Sequence, residues 1–445
     1  MTKTRLQKFV KDNDIRFIRV LWNDNANLVR AKMVNIREIN ALFEHGIAIS
    51  KAQQAVPFMY DVPELSTGLG PVGEVRIKPD WDSLKIVPHS DNQAWVLGNI
   101  YDGDQPWSHC PRTFLLRMMD QLSKNGLLLK VGFENEFFVY ENNEENTFSN
   151  DGSLFAENRS IDSYPEFITQ LTKALEALNI GLELYHAEAG PSQYEFSLSP
   201  DNPINSLDNQ IYFKETVKVL ARRSNLKASF VPKLYEDQAG SGCHLHLSLW
   251  KNGKNITPSE RNSKKISEIS LFFIAGVLKN LPSLLAITTP TTNSFRRLAP
   301  RSWAGAYTVW GYNNREAAVR IPSADSNGAV TNIEFKTVDH TANLYLALGA
   351  IIASGLDGIE HKTKLSNPID FDPGAKSETE LNNLRIERLP TKLSQSLDLF
   401  KKNRLFKEAL GDNLHKSYHA VKSAEAKYMK GKSFKDEVAL MVKRF

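Results

Sequence analysis

Residues 131–140, VGFENEFFVY, decide how this chain reads. Successive side chains of a strand point to opposite faces, so Glu134 and Glu136 share one face and Phe133 and Phe137 the other. That pattern wets one face with acids and anchors the opposite face in a core. Residues 240–250, GSGCHLHLSLW, repeat it with His244 and His246 against Leu245, Leu247 and Leu249. Residues 332–346, NIEFKTVDHTANLYL, pair Glu334 with Lys336 between Ile333 and Phe335. Residues 186–200, HAEAGPSQYEFSLSP, add Glu188 and Glu195, and residues 293–322, NSFRRLAPRSWAGAYTVWGYNNREAAVRIP, add a group of arginines. Carboxylates gathered at this density need cations to hold them together.

The chain has 445 residues, 41% hydrophobic, 24% charged and 10% aromatic. That is ordinary globular composition with material for a large core, and the length fits roughly two to three domains. A net charge of +4 and a pI near 8.7 are too mild for a nucleic-acid surface, so no nucleic-acid partner is expected. The run KKNRLFK at 401–407 and the lysine-rich C-terminal region read as solvated helix faces. Cys110 and Cys243 are the two cysteines, too few for a disulfide framework or a Cys-type zinc site. The start, MTKTRLQKFVKDNDIRF, lacks an apolar signal core. No run approaches the ~18 apolar residues of a membrane span. A cytoplasmic protein with no membrane partner is therefore expected.

FIRVLWND and LVRAKMV read as a hairpin around DNAN, followed by a short helix in IREINALFEHG. EVRIKPD, SLKIVPH and AWVLGNIYD add strand-like runs, and DGDQPWSHCPR at 102–112 is the best linker candidate. TFLLRMMDQLSKNG has helical periodicity closed by Gly126. SYPEFITQLTKALEALNI and SEISLFFIAGVLKNLPSLLAIT read as amphipathic helices. LPTKLSQSLDLFKKN and HKSYHAVKSAEAKYMKG make the C-terminal part mainly helical. The expected fold class is α+β, with a small β-rich domain over 1–105 and a large catalytic domain over 106–445.

Glu134, Glu136, Glu188, Glu195 and Glu334 come with His244 from four separated segments. Hard cations want oxygen ligands, whereas zinc favours Cys and His, so this set points to Mg²⁺ or Mn²⁺ at two or more positions. A single carboxylate pair also fits a glycosidase acid and base, or a solvated sheet edge. The basic segment tips the balance. Arg297, Arg315 and Arg320 are suited to bidentate binding of phosphate or carboxylate, and metals with arginines form the usual apparatus of ATP chemistry. Arg296 and Arg301 read instead as surface pairs with acids. The glycines Gly240 and Gly242 let backbone approach a ligand closely. No GxxxxGK[ST] or kinase-type glycine loop is present.

The motifs E-x-E-F-F, H-x-E-x-G-x-x-Q-x-E, G-S-G-x-H-x-H-x-S-L, N-S-x-R-R-L-x-P, N-R-x-A-x-x-R-I-P and I-E-x-K occur in this order along the chain. Their combination resembles the glutamine synthetase family over essentially the full length. The resemblance implies an N-terminal β-grasp domain and a catalytic domain with a curved antiparallel sheet flanked by helices. It implies a homo-oligomer of stacked rings, expected as a dodecamer, with active sites between subunits. ATP as co-substrate would phosphorylate a side-chain carboxylate, and an amine would displace the phosphate to form an amide. Glu136, Glu188 and Glu195 would hold one metal, and Glu134, His244 and Glu334 a second. His246 and Ser248 would lie near ATP. Arg297 would bind the acid's carboxylate beside Gly240. Arg315 and Arg320 would serve ATP binding and phosphoryl transfer.

Four positions depart from the family pattern. Ser50 or a neighbour stands where an Asp helps bind ammonium, and Trp303 stands at the flap glutamate. A desolvated ammonium ion needs such anions, whereas an indole offers an apolar wall or a cation–π face. Ala239 replaces an Asn near the acid substrate. Lys336, carried over as catalytic, replaces an Arg and exchanges a planar fork for a point charge. The pattern favours γ-glutamylation of an organic amine. A glutamine synthetase using ammonia is the first alternative and a non-catalytic ring-forming relative the second. The expected partners are small molecules: glutamate or a related acid, an amine and ATP.

Overall fold

The computed structural model describes residues 1–141 and 152–445. A first, seven-stranded sheet follows the order Val29–Asn35, Phe17–Asn23, Gln93–Asp102, Glu74–Pro79, Ile47–Ser50, with two short strands beside Gln93–Asp102. Phe17–Asn23 and Val29–Asn35 form the expected antiparallel hairpin. Asp24 closes its turn: Oδ1 accepts the N–H groups of Ala26 and Leu28 at 3.0 and 2.9 Å. The expected short helix starts as a 3-10 turn, Ile36–Glu38, continues as Ile39–His45, and stops at Gly46 with φ 63°.

Residues 102–112 are no free linker. Gln105–Pro106 pairs back on Tyr101 and Asp102, and Trp107 and Cys110 are buried in the core of the first sheet. Those two apolar side chains pull an otherwise polar stretch onto the fold.

The second sheet has nine strands in the order Tyr307–Tyr312, Ala317–Ile321, Ile333–Phe335, Cys243–Lys251, Leu128–Glu141, Gln193–Asp201, Leu182–Ala187, with two short strands off this path. It is antiparallel except between Tyr307–Tyr312 and Ala317–Ile321, which run parallel, a correction to the uniformly antiparallel expectation. Parallel neighbours need a return connection. Here the return is short and irregular: Asn313 takes φ 52°, and Asn314 Nδ2 donates to the carbonyls of Ile369 and Phe371 at 3.1 and 3.0 Å.

One apolar core lies against this sheet and reaches Leu21, Trp95 and Leu97 of the first. Helices Glu268–Thr288 and Leu344–Glu360 form its spine. They meet backbone to backbone at Gly276, where a Cβ would lie 2.0 Å from Ser354 O. Glu268–Thr288 departs from the expected amphipathic helix, being buried on nearly every side. By length and composition it could cross a membrane, against the expectation that no run would, yet 78% of its most apolar stretch lies inside the fold. A helix apolar all round belongs in a core. Helices Pro165–Ala177, Leu393–Lys402 and Asp412–Met429 fall where periodicity predicts them.

Candidate active site

Adjacent strands of the second sheet bring the candidate ligands to a single face. Glu134 lies opposite His244 on one neighbour and Ser197 on the other. Two residues along, Glu136 lies opposite Glu195, which in turn faces His186. At the other end His246 lies opposite Glu334, and Glu334 opposite Arg320. Phe133, Phe137, Leu245, Leu247, Ile333 and Phe335 occupy the alternate positions, none more than 2% exposed.

Among the described residues, three groups have ligand atoms within 4.8 Å of one another: Glu134 with His246 and Glu334, Glu134 with Glu195 and His244, and His186 with Glu188 and Glu195. His244 Nδ1 is 3.2 Å from Glu134 Oε2 and 3.5 Å from Glu334 Oε1, and its Nε2 is 3.5 Å from Glu136 Oε1. His246 Nε2 is 3.2 Å from Glu134 Oε1, and its Nδ1 is 2.9 Å from Asn332 Oδ1. Glu136 stands outside the three groups and accepts the Gly242 N–H at 2.8 Å. His186 Nε2 lies 3.4 Å from Glu188 Oε1. His186 lies outside the expected ligand set, although H-x-E carries the same two-residue period as E-x-E and H-x-H.

The electrostatics divide these acids. Burial, then the charges of Glu134, Glu136 and Glu188, push Glu195 up to about 10. Burial also works to raise Glu134, but hydrogen bonds with His244 and His246 pull it well down. Glu334 is held low against burial by Lys336, His246, His244 and Arg320. Lys336 Nζ is 3.1 Å from its Oε1 and Arg320 Nη1 is 3.0 Å from its Oε2. Glu195, by contrast, is crowded by anions and calls for a cation. Oxygen-rich donors with a minority of imidazoles fit Mg²⁺ or Mn²⁺.

Gln193 ties the acid strand to the glycine turn. Its Nε2 donates to Gly240 O and Ser241 Oγ, both at 3.0 Å, while its Oε1 accepts the Gly190 N–H at 2.8 Å. A Cβ on Gly242 would lie 2.6 Å from both Arg297 Nη2 and His244 Nε2, and one on Gly240 2.7 Å from Arg297 Cγ. Arg297 ends helix Thr292–Arg297 and is 4% exposed. Its guanidinium turns inward, donating to Lys336 O at 3.0 Å and Val338 O at 3.4 Å, with Nη2 3.1 Å from His244 Nε2. Arg296 and Arg301 pair with Glu437 and Asp372, as expected for structural cations.

Trp303 is 52% exposed beside this face. The Arg315 guanidinium carbon lies 5.4 Å from its ring centre, and Phe155 meets it edge-on at 6.3 Å. Glu316, buried beneath, accepts the N–H groups of Arg301 and Trp303 at 3.2 and 2.9 Å, which holds both residues at positive φ (59° and 54°). Burial raises the Glu316 carboxyl. Ser248 is buried farther along its strand and accepts the Trp250 indole N–H at 2.8 Å. Ser50 belongs to the first sheet, where its hydroxyl accepts the Ala52 N–H at 3.3 Å, and is not drawn into these groups.

Residues 108–441 match the family model described as glutamine synthetase, catalytic domain. The chain is similar to type-1 glutamine synthetase 1 of Dictyostelium discoideum, at 31% identity over 98% of this chain and 91% of the relative. It is similar to a glutamine synthetase of Methanocaldococcus jannaschii at 32% identity, covering 94% of this chain and 93% of the relative. A solved glutamine synthase homologue superposes with TM-score 0.85 at 26% identity, covering 97% of this chain and 99% of that one. A complex of GmaS with ADP shares the fold, with TM-score 0.84, 24% identity and 98% of each chain covered.

Proposed function

This chain belongs to the glutamine synthetase family of ATP-dependent, amide-forming ligases, and on that premise we propose that it joins the γ-carboxylate of glutamate to an organic amine. Trp303 carries this reading. The position where the family pattern puts a flap carboxylate holds a half-exposed indole, and the nearby Glu316 carboxylate is committed to two backbone N–H groups. An amine with carbon substituents gains contact there, whereas the indole gives a bare ammonium ion no anionic partner at that position.

Glu136, Glu188 and Glu195 would hold one divalent cation and Glu134, His244 and Glu334 another. His186 and His246 stand in reach as further donors. Bound Mg²⁺ or Mn²⁺ supplies charge neutralisation for the ATP phosphates. The chain's own groups do the rest. Arg320 and Lys336 fix Glu334 and set positive charge beside it. His246 and Ser248 line the same strand toward the nucleotide, and Arg315, stacked on the indole at the rim, adds positive charge for the transferring phosphoryl group. Arg297 and Gly240 receive the amino acid's carboxylate once the inward bonds of the guanidinium yield. A carboxylate oxygen of glutamate attacks the γ-phosphorus and ADP leaves. The amine nitrogen then attacks the acyl carbon, gives up a proton, and inorganic phosphate departs. Ser50 would reach such a site from a neighbouring subunit of a ring, a dodecamer by the family pattern.

The curated relatives favour a second reading, ammonia as the nitrogen donor, because both carry the name glutamine synthetase. Phosphate release with glutamate and ATP, in Mg²⁺ and then Mn²⁺, separates the two when ammonium is compared with a panel of amines. Higher kcat/KM for an organic amine supports the proposal. Ammonium as the best donor replaces it with the second reading. A non-catalytic relative is disfavoured by the complete set of donors on the sheet face.

A further inference from the structure

Resting on that amine-ligase reading, we propose that Phe155 and Trp303 form a clamp that selects amines with a single charge and an apolar body over diamines and polyamines. Phe155 is 50% exposed and Trp303 52%, and their rings meet at 88° with centroids 6.3 Å apart. Large apolar side chains standing exposed side by side mark a surface that something covers. Phe155 also meets His186 edge-on at 5.8 Å, and His186 Nε2 lies 3.4 Å from Glu188 Oε1. The apolar pair is thus one ring away from the acids, the arrangement that suits a molecule with nitrogen at one end and hydrocarbon at the other.

Both rings are held by backbone bonds independent of each other. The Ala156 N–H donates to Ala187 O at 2.9 Å, pinning the Phe155 segment to the strand that carries His186. Glu316 holds the Trp303 loop from below through the N–H groups of Arg301 and Trp303. The clamp is preformed.

Arg315 sets the charge rule. Its guanidinium carbon lies 5.4 Å from the Trp303 ring centre, on the aromatic surface an alkylammonium would seek. A second ammonium carried by the amine meets like charge there and is rejected. Hydrocarbon contact with the two rings remains as the attraction.

n-Butylamine and 1,4-diaminobutane share a carbon body and differ by one ammonium, so they isolate this rule. With glutamate, ATP and Mg²⁺, phosphate release should favour n-butylamine by roughly tenfold in kcat/KM. Phe155→Ala should raise the KM for n-butylamine by roughly tenfold, and Phe155→Leu, which restores an apolar side chain, should bring it back most of the way. Equal or better use of 1,4-diaminobutane overturns the inference, as does an unchanged n-butylamine KM in Phe155→Ala. In both cases the amine-ligase reading survives. Turnover with ammonium alone removes that reading and the clamp together.

Discussion

Glu195 lies directly opposite Glu136 across the antiparallel strands Leu128–Glu141 and Gln193–Asp201, and the two residues are only 8% and 7% exposed. Like charges in register destabilise a sheet. Local rules are broken in this way chiefly where function requires it, and the need here is for a bound cation.

The pH dependence of the metal-free protein follows from this pair. Glu195 is pushed up to about 10 from an ordinary 4.5, so the folded chain keeps a proton that the unfolded chain loses near 4.5. Stability contributed by that proton is full below 4.5 and is lost as pH rises toward about 10. Thermal melts in chelator should therefore fall across this range. The gain in Tm from Mn²⁺ should be larger near pH 9 than near pH 6, about in proportion to the proton displaced. A gain independent of pH would contradict the assignment.

Glu195→Gln should separate stability from metal binding. The neutral amide needs no proton to sit among Glu134, Glu136 and Glu188, so at neutral pH the metal-free variant should melt higher than the wild type. Mn²⁺ affinity, read by calorimetry, should fall by roughly tenfold or more, because a ligand charge is gone. A variant less stable without metal would point to a structural role for the carboxylate.

Glu334 is fully buried between Arg320 and Lys336. Glu334→Ala leaves those cations without their partner, and urea unfolding should show a loss of about 3–5 kcal/mol. Glu334→Gln keeps the shape and should fold while releasing no phosphate from ATP. Near-normal turnover in Glu334→Gln would remove this residue from the chemistry.

Trp303→Glu returns an acid to the flap and removes one wall of the clamp. Its kcat/KM should fall for n-butylamine and rise for ammonium, shifting their ratio by roughly tenfold or more. An unchanged ratio would place Trp303 outside the amine site.

The carboxylate face was legible because a two-residue period translates directly into a shared strand face: E-x-E, H-x-H and E-x-K each put neighbouring chemistry side by side. His186 obeys the same rule, but in its segment the two acids Glu188 and Glu195 dominate the pattern. The clamp was illegible for a different reason. Phe155 and Trp303 come from distant segments, and only the folded chain joins them. The inward turn of the Arg297 guanidinium likewise depends on carbonyl groups of Lys336 and Val338 that its own motif does not contain. In residues 102–112, polar and proline content masked two buried side chains, Trp107 and Cys110. Helix Glu268–Thr288 reads as amphipathic until Leu344–Glu360 and the rest of the core close around it.

The transfer of oxygen is the most direct test of carboxylate activation at this face. Glutamate labelled with ¹⁸O in its γ-carboxylate should, on turnover with ATP, Mg²⁺ and n-butylamine, deliver one labelled oxygen to each inorganic phosphate, with γ-glutamylbutylamide as the coupled product. Phosphate released without label would mean that water, and not the carboxylate, attacks ATP, and the protein would not be a ligase.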